Sequence, residues 1–218
     1  MSGSLGGITA ARNKGGQYLR ARVVPVDPGS PAQTTLRTVF SGLAVAWQTI
    51  LSQAERDAWD TYAENVTVVN RIGETVNITG FNMYIRSNTP RVQAGFARVD
   101  PGPTNFNLGE FTDVSIDIAG GGAVVSVTFN ANDTWANEDD ALMIVLTSRE
   151  KAPTINFFKG PYRLAGTIDG DLAMPPSTPA AITSDFVYTT ANKGFAQVRV
   201  SRADGRLSNI QRVEAIAS

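Results

Sequence analysis

Between residues 31 and 51 apolar side chains recur at three- and four-residue steps: Leu36, Val39, Phe40, Leu43, Trp47, Ile50 and Leu51. That spacing gathers them on one face of a helix. Ser30 is a good N-cap and Pro31 suits the first helical position. Gly42 weakens this helix by about 1 kcal/mol relative to alanine and is read as a point of close packing. "SQAE" opens a second helix with a capping box between Ser52 and Glu55, and Trp59, Tyr62 and Val66 form its apolar face. "VTVVNRIGETVNITG" places β-branched residues on either side of Ile72-Gly73, the pattern of a small hairpin. A third, short helix capped by Thr79 follows, with Phe81, Tyr84 and Ile85 inward and Pro90 expected to end or kink it.

The pattern changes after "DPGPTNFNLG", residues 100–109, which hold two prolines and two glycines and show no period. A domain boundary is expected there. Beyond it lie "VSIDIA", "AVVSVTF", "ALMIVLTS", "YRLAGTI", "DFVYTT", "FAQVRVS" and "SNIQRVEAIA", separated by Gly, Asn, Asp and Pro clusters. Short β-branched and aromatic runs at such intervals predict an antiparallel β-sandwich over 110–218. Val198 and Val200 alternate with Arg199 and Ser201, as one buried and one wet face require. "AMPPSTPAAIT" is expected to be a stiff surface connection.

The first thirty residues have no helical period. Five glycines and four cations, Arg12, Lys14, Arg20 and Arg22, precede the first acid, Asp27. "GGITAARNKGG" lacks the G-x-x-x-x-G-K-[ST] spacing of a phosphate-binding loop, and no strand precedes it. From Tyr18 to Val26 the chain reads as a strand, with Leu19, Ala21 and Val23 alternating against Arg20 and Arg22, and Pro25 confines it to an edge. A solvated tail has no use for that alternation. An arm that adds a strand to a neighbour's sheet does, since backbone bonds supply affinity and side chains set register. The expected partner-binding residues are Arg12, Lys14, Tyr18, Leu19, Arg20, Arg22, Val23 and Val24, with the glycines letting the arm lie close to another backbone.

Charge sharpens this picture. The 218 residues carry a net −1. With +4 in residues 1–26 the remainder sums to −5, a surface complementary to the arm. The whole-chain charge gives no general affinity for nucleic acid or membrane surfaces. There are no cysteines and no histidines, which excludes disulfides, Ser-His-Asp and Cys-His catalysis, and an ordinary zinc site. No signal peptide is visible, so Asn65, Asn77 and Asn132 in their N-x-[ST] triplets are chance matches and a cytosolic site of synthesis is expected. Trp47 and Trp59 fall within apolar helical faces and are read as core. Trp135 lies in the polar loop "NANDTWANEDD" and is expected to be a contact residue or a loop anchor. Asn130, Asn132, Asp133, Asn137, Glu138, Asp139 and Asp140 surround it, but their spacing does not match an EF-hand and a solvated acidic loop is the commoner outcome. Nothing fixes a carboxylate separation for glycoside hydrolysis there. Arg56 and Asp57 are read as a solvated face. No catalytic residue, metal or cofactor is assigned.

Two resemblances extend these expectations. "GFAQVRVSRADGRLSNIQRVEA" resembles the last two strands of a fibronectin type III-like sandwich. "GGITAARNKGGQYLRARVVPVDP", Gln33, Arg37, Trp47 and "LSQAERDAWDTYA" resemble a family of uncharacterised proteins from bacteriophages and prophage-bearing bacteria. The patterns predict an α+β chain with an extended basic arm over 1–30, a helical region with a hairpin over 31–99, a linker over 100–109 and a sandwich over 110–218, which the first resemblance implies to be Ig/fibronectin III-like. The second implies a virion structural protein, made in the host cytoplasm, assembling in many copies with itself and other virion proteins as a capsid decoration or a tail or neck component. Two other functions fit the residues: a glycan- or receptor-binding sandwich with Trp135 at its contact surface, and a nucleic-acid-binding accessory protein gripping through the arm.

Overall fold

A computed structural model describes residues 3–24, 26–27, 29–70, 72–108, 111 and 113–218. The chain is α+β and falls into two compact units, Met1–Thr34 and Thr35–Ser218. Expectations that rest on Pro25, Pro28, Arg71, Gly109 or Glu110 lie outside the described residues.

The first unit is a three-stranded antiparallel meander of β1 (Gly3–Leu5), β2 (Ile8–Asn13) and β3 (Gly16–Ala21), in that order across the sheet. The expected strand from Tyr18 to Val26 is corrected in two respects. It starts at Gly16 and stops at Ala21, leaving Arg22, Val23 and Val24 beyond it, and it pairs with its own chain. The cause lies in the glycines. Gly6 and Gly16 adopt φ of 57° and 113°, and the Gly15 amide donates to Asn13 Oδ1 at 2.9 Å. These two tight turns fold the arm back on itself instead of flattening it against another backbone.

The second unit contains most of α1 (Pro31–Thr49), then α2 (Gln53–Asn65), the hairpin β4 (Val68–Val69) and β5 (Thr75–Val76), and α3 (Gly80–Gln93). The Ser52–Glu55 capping box is present, and the Thr79 hydroxyl accepts from the Asn82 amide. Leu43, Ala46, Leu51, Trp59, Tyr62, Met83 and Tyr84 form one core, on which Trp47 packs. Pro90 does not end α3, which runs on to Gln93. Only the final turn lies beyond it, and the amides of Ala94 and Phe96 bond back to the Arg91 carbonyl. Arg56 is not on a solvated face either: its Nη1 donates to the Trp47 carbonyl at 2.9 Å, tying α2 to the end of α1. Gly42 faces open space, with no atom within 4 Å of where a methyl group would stand, so no close packing needs it. Gly42→Ala is therefore expected to stabilise the fold by about 0.5–1 kcal/mol, read as an upward shift in Tm.

Seven strands follow: β6 (Ser115–Ile118), β7 (Gly122–Thr128), β8 (Leu142–Thr147), β9 (Arg163–Asp169), β10 (Ala180–Tyr188), β11 (Lys193–Ser201) and β12 (Gln211–Ile216). They make two antiparallel sheets, in the orders β10-β7-β6 and β12-β11-β8-β9. One core draws on both: Ile118, Val125, Val127 and Ile182 from the first, Met143, Val145, Val198 and Val200 from the second. The alternate residues of β11, Gln197, Arg199 and Ser201, therefore point to the other face of its sheet. There Arg91 of α3 donates from Nη1 to Ser201 Oγ and to the Arg202 carbonyl, both at 3.1 Å.

The Pro/Gly-rich stretch at 100–108 is not a break between units but a strap within the second. Trp59 Nε1 donates to the Asp100 carbonyl at 2.8 Å and the Tyr84 hydroxyl to Asp100 Oδ1 at 3.0 Å. A Cβ on Gly102 would stand 2.6 Å from the α2 backbone at Ala58 and Trp59, so glycine serves close approach there, not flexibility. Toward the sheets, Arg202 donates to the Leu108 carbonyl and Arg206 to that of Asn107. Among the described residues no helix is long and apolar enough to cross a membrane.

Candidate interaction surface

The pairing register of the meander sorts its side chains. Ile8 stands opposite Ala21 and Leu5, and Ala10 opposite Leu19. Cross-strand partners share a face, so Leu5, Ile8, Ala10, Leu19 and Ala21 lie together on one side. Thr9, Ala11, Tyr18 and Arg20 lie on the other. The first is an apolar face and the second a polar one, the division expected of a sheet with one buried side.

Yet that side is not buried. Leu5 is 89% exposed and Leu19 71%, and no described residue of the meander is classed as buried. Val23, Val24 and Val26, just after the strand, are exposed as well. A three-stranded sheet with no core of its own depends on something packed against its apolar face. The charges point the same way. Among the described residues Arg12, Lys14, Arg20 and Arg22 take part in no ion pair. Of the expected contact residues, Tyr18, Leu19 and Arg20 lie in β3 and Arg12 in β2. Lys14 sits at the second turn, and Arg22, Val23 and Val24 follow the sheet. The structure does not bring them all to one face: Leu19 and Arg12 share the apolar side, Tyr18 and Arg20 the polar one.

Leu5, Ile8 and Ala10 lie on the same apolar face as Leu19 without having been expected there, though the signal is present. Gly-Gly and Lys-Gly are each two-residue turns flanked by alternating runs, which is a hairpin signature on both sides of β2. A second exposed apolar pair, Leu36 and Phe40, lies one turn apart on α1, so the helical stripe is not covered along its whole length.

Of the two readings of Trp135, the loop anchor holds and the contact residue is corrected. Trp135 is fully buried, packs on Phe129 at 5.1 Å between ring centroids and belongs to the core between the sheets. It anchors its loop and cannot touch a ligand. The polar residues around it are occupied with holding that loop. Glu138 pairs with Arg202, Asp139 Oδ1 accepts from the Leu172 amide, and Asn137 Nδ2 donates to the carbonyls of Ala131 and Asp133. Among the described residues no three acidic side chains converge as metal ligands.

No protein-family model matches this chain, and no curated protein matches it. Function therefore has to be argued from the surfaces themselves.

Proposed function

We propose that the protein is a structural component of a phage virion, a capsid decoration or a tail or neck protein, assembled in many copies through its amino-terminal arm. The observation that carries the assembly step is the uncovered apolar face of Leu5, Ile8, Ala10, Leu19 and Ala21 on a sheet without a core. Covering it removes apolar area from water at about 25 cal/mol per Å². The occupant is a second copy of this chain: the arm carries +4 and the remainder −5, so arm and neighbouring body attract while arm and arm repel. The arm docks as a folded meander, which lowers the ordering cost compared with a free strand. The virion setting rests on the resemblance of the N-terminal half, about ninety residues, to phage-associated proteins.

The two-sheet region is proposed to be a fibronectin type III-like module. Lettered in chain order, β6, β7 and β10 take the places of strands A, B and E, and β8, β9, β11 and β12 those of C, C′, F and G. That connectivity supports the assignment. One fold of this kind hosts many unrelated functions, so the functional reading rests on the arm and not on the fold.

Light scattering on size-exclusion fractions tests the assembly step. The full chain is expected to elute as a multimer, and the chain lacking residues 1–26 as a folded monomer with unchanged circular dichroism from its sheets. Leu19→Asp, which places a charge in the apolar face, is expected to reproduce the monomer without deletion. A full chain that stays monomeric at its highest attainable concentration overturns the proposal.

A further inference from the structure

The second unit has a cleft of about 940 Å³ whose lining, among the described residues, includes Arg86, Lys159, Arg199 and Arg212 and no acidic residue. The four cations come from four elements: α3, the β8–β9 connection, β11 and β12. Like charges are not brought together by chance packing, because each costs free energy to hold near the others. Nor are they neutralised from within. Among the described residues none of the four forms an ion pair, and Glu214, on the same strand as Arg212, pairs with Lys193 at 2.9 Å.

Arg199 stands out. Its side chain is mostly buried on the outer face of its sheet, and its Nε is shielded from solvent with no hydrogen-bond partner. Burial pushes its guanidinium down to about 10, and repulsion from Arg86 adds to the fall. It still carries its proton at neutral pH. Burial likewise lowers Arg86, whose Nη1 donates only to the Leu207 carbonyl at 3.3 Å. Two partly desolvated guanidiniums lining one cleft, neither in an ion pair among the described residues, are costly in a fold that needs them only for stability. Arg212 lies over the Phe157 ring at 5.9 Å, and that ring is 66% exposed.

We infer that this cleft binds a phosphate-rich ligand, its oxyanions held between the forks of Arg86 and Arg199, with Lys159 and Arg212 at the rim and Phe157 offering a face to a planar ring. Guanidinium forks match phosphate oxygens in pairs, and an anion seated there supplies the partner that Arg199 lacks. A nucleoside polyphosphate and a single-stranded nucleic acid both present phosphates beside planar rings. The cleft is independent of the arm. Being cationic, it also repels the arm, so it is not the surface on which a neighbour's arm docks.

Isothermal titration of the full-length protein with sodium tripolyphosphate, ATP and a ten-residue oligothymidylate tests this. Saturable binding of at least one, weakened by about tenfold or more in Arg199→Met, is expected. Arg199→Met should leave Tm unchanged or raise it, because an apolar isostere relieves the buried charge. A lost affinity then cannot be ascribed to unfolding. The exposed pair Lys159→Ala and Arg212→Ala, remote from any core, should weaken the same ligand several-fold. Tripolyphosphate binding as well as ATP makes the phosphates sufficient, preference for ATP assigns the ring to Phe157, and preference for the oligonucleotide names the polymer as the source. Absence of binding by all three, or binding unchanged in both variants, overturns the inference.

Discussion

Arg91→Ala is expected to lower the free energy of unfolding by about 3–4 kcal/mol, one of the two largest single-residue effects in this chain. The side chain is 3% exposed and ties α3 to the four-stranded sheet. Its Nη1 reaches the Asp140 carbonyl, Ser201 Oγ and the Arg202 carbonyl, each at 3.1 Å, and its Nε reaches the Ala97 carbonyl at 3.3 Å. Burial lowers its guanidinium and the carboxylates of Asp140, Asp204 and Glu138 offset part of that, so the group stays charged. Truncation removes the donor to buried Ser201 Oγ and to the partly buried carbonyls of Asp140 and Ala97, while the Arg202 carbonyl keeps the Gly205 amide. Each buried acceptor left without a partner costs about 1–3 kcal/mol, not additively. Arg91→Lys keeps the charge but loses the planar fork, and should recover less than half the loss. Urea denaturation measures both through the midpoint. Since Arg86 stands on the same helix, loosening α3 should also weaken anion binding in the cleft, a second readout that a purely local defect would not move.

Gly170→Ala should be at least as damaging, at about 3 kcal/mol or more. A Cβ at this position would lie 2.2 Å from the Trp135 carbonyl oxygen and 2.7 Å from that of Glu138. Both are backbone atoms and cannot swing away as a side-chain tip would. The amides of Gly170 and Asp171 already donate to the carbonyls of Ala141 and Ala136, which fixes the chain on the other side. Relief requires shifting the loop that carries Trp135 into the core and Glu138 onto Arg202. A drop in the denaturation midpoint together with a changed tryptophan near-ultraviolet dichroism is the expected result. An unchanged midpoint would show that the loop is more compliant than its hydrogen bonds suggest.

Much of the secondary structure is legible in the chain because it depends on local chemistry. The capping box at Ser52, the Thr79 cap, the turn at Gly73 and the number of C-terminal strands follow from residue type and period alone. One boundary is corrected: Ala180–Thr183, expected to belong to a stiff surface connection, open β10, pair with β7 and place Ile182 in the core. What escapes is tertiary. Proline and glycine at 100–108 signal irregular backbone equally well in a loose linker and in a strap bonded on both sides. Pro90 is a stop signal in a helix that Arg91 pins from the far side. Trp135 sits in a run of polar residues that gives no hint of where the ring points. The arm is the instructive failure. Its alternation is plain, but four glycines in two Gly-Gly pairs read as closeness to a partner when two of them set the turns of a meander. The cationic cleft is invisible for a simpler reason. Arg86 and Arg212 are 126 positions apart, and only α3 lying on the outer sheet face brings them into one lining.

The division of charge and apolar area between arm and body has a consequence for stoichiometry. On the proposed contact each copy offers one donor and one acceptor. Such a set is saturated in a reciprocal pair or a closed ring, and otherwise grows as a filament with a spare arm at one end. A copy stripped of residues 1–26 would still accept an arm while donating none. Mixed with intact protein it should act as a chain terminator, shortening assemblies in proportion to its share.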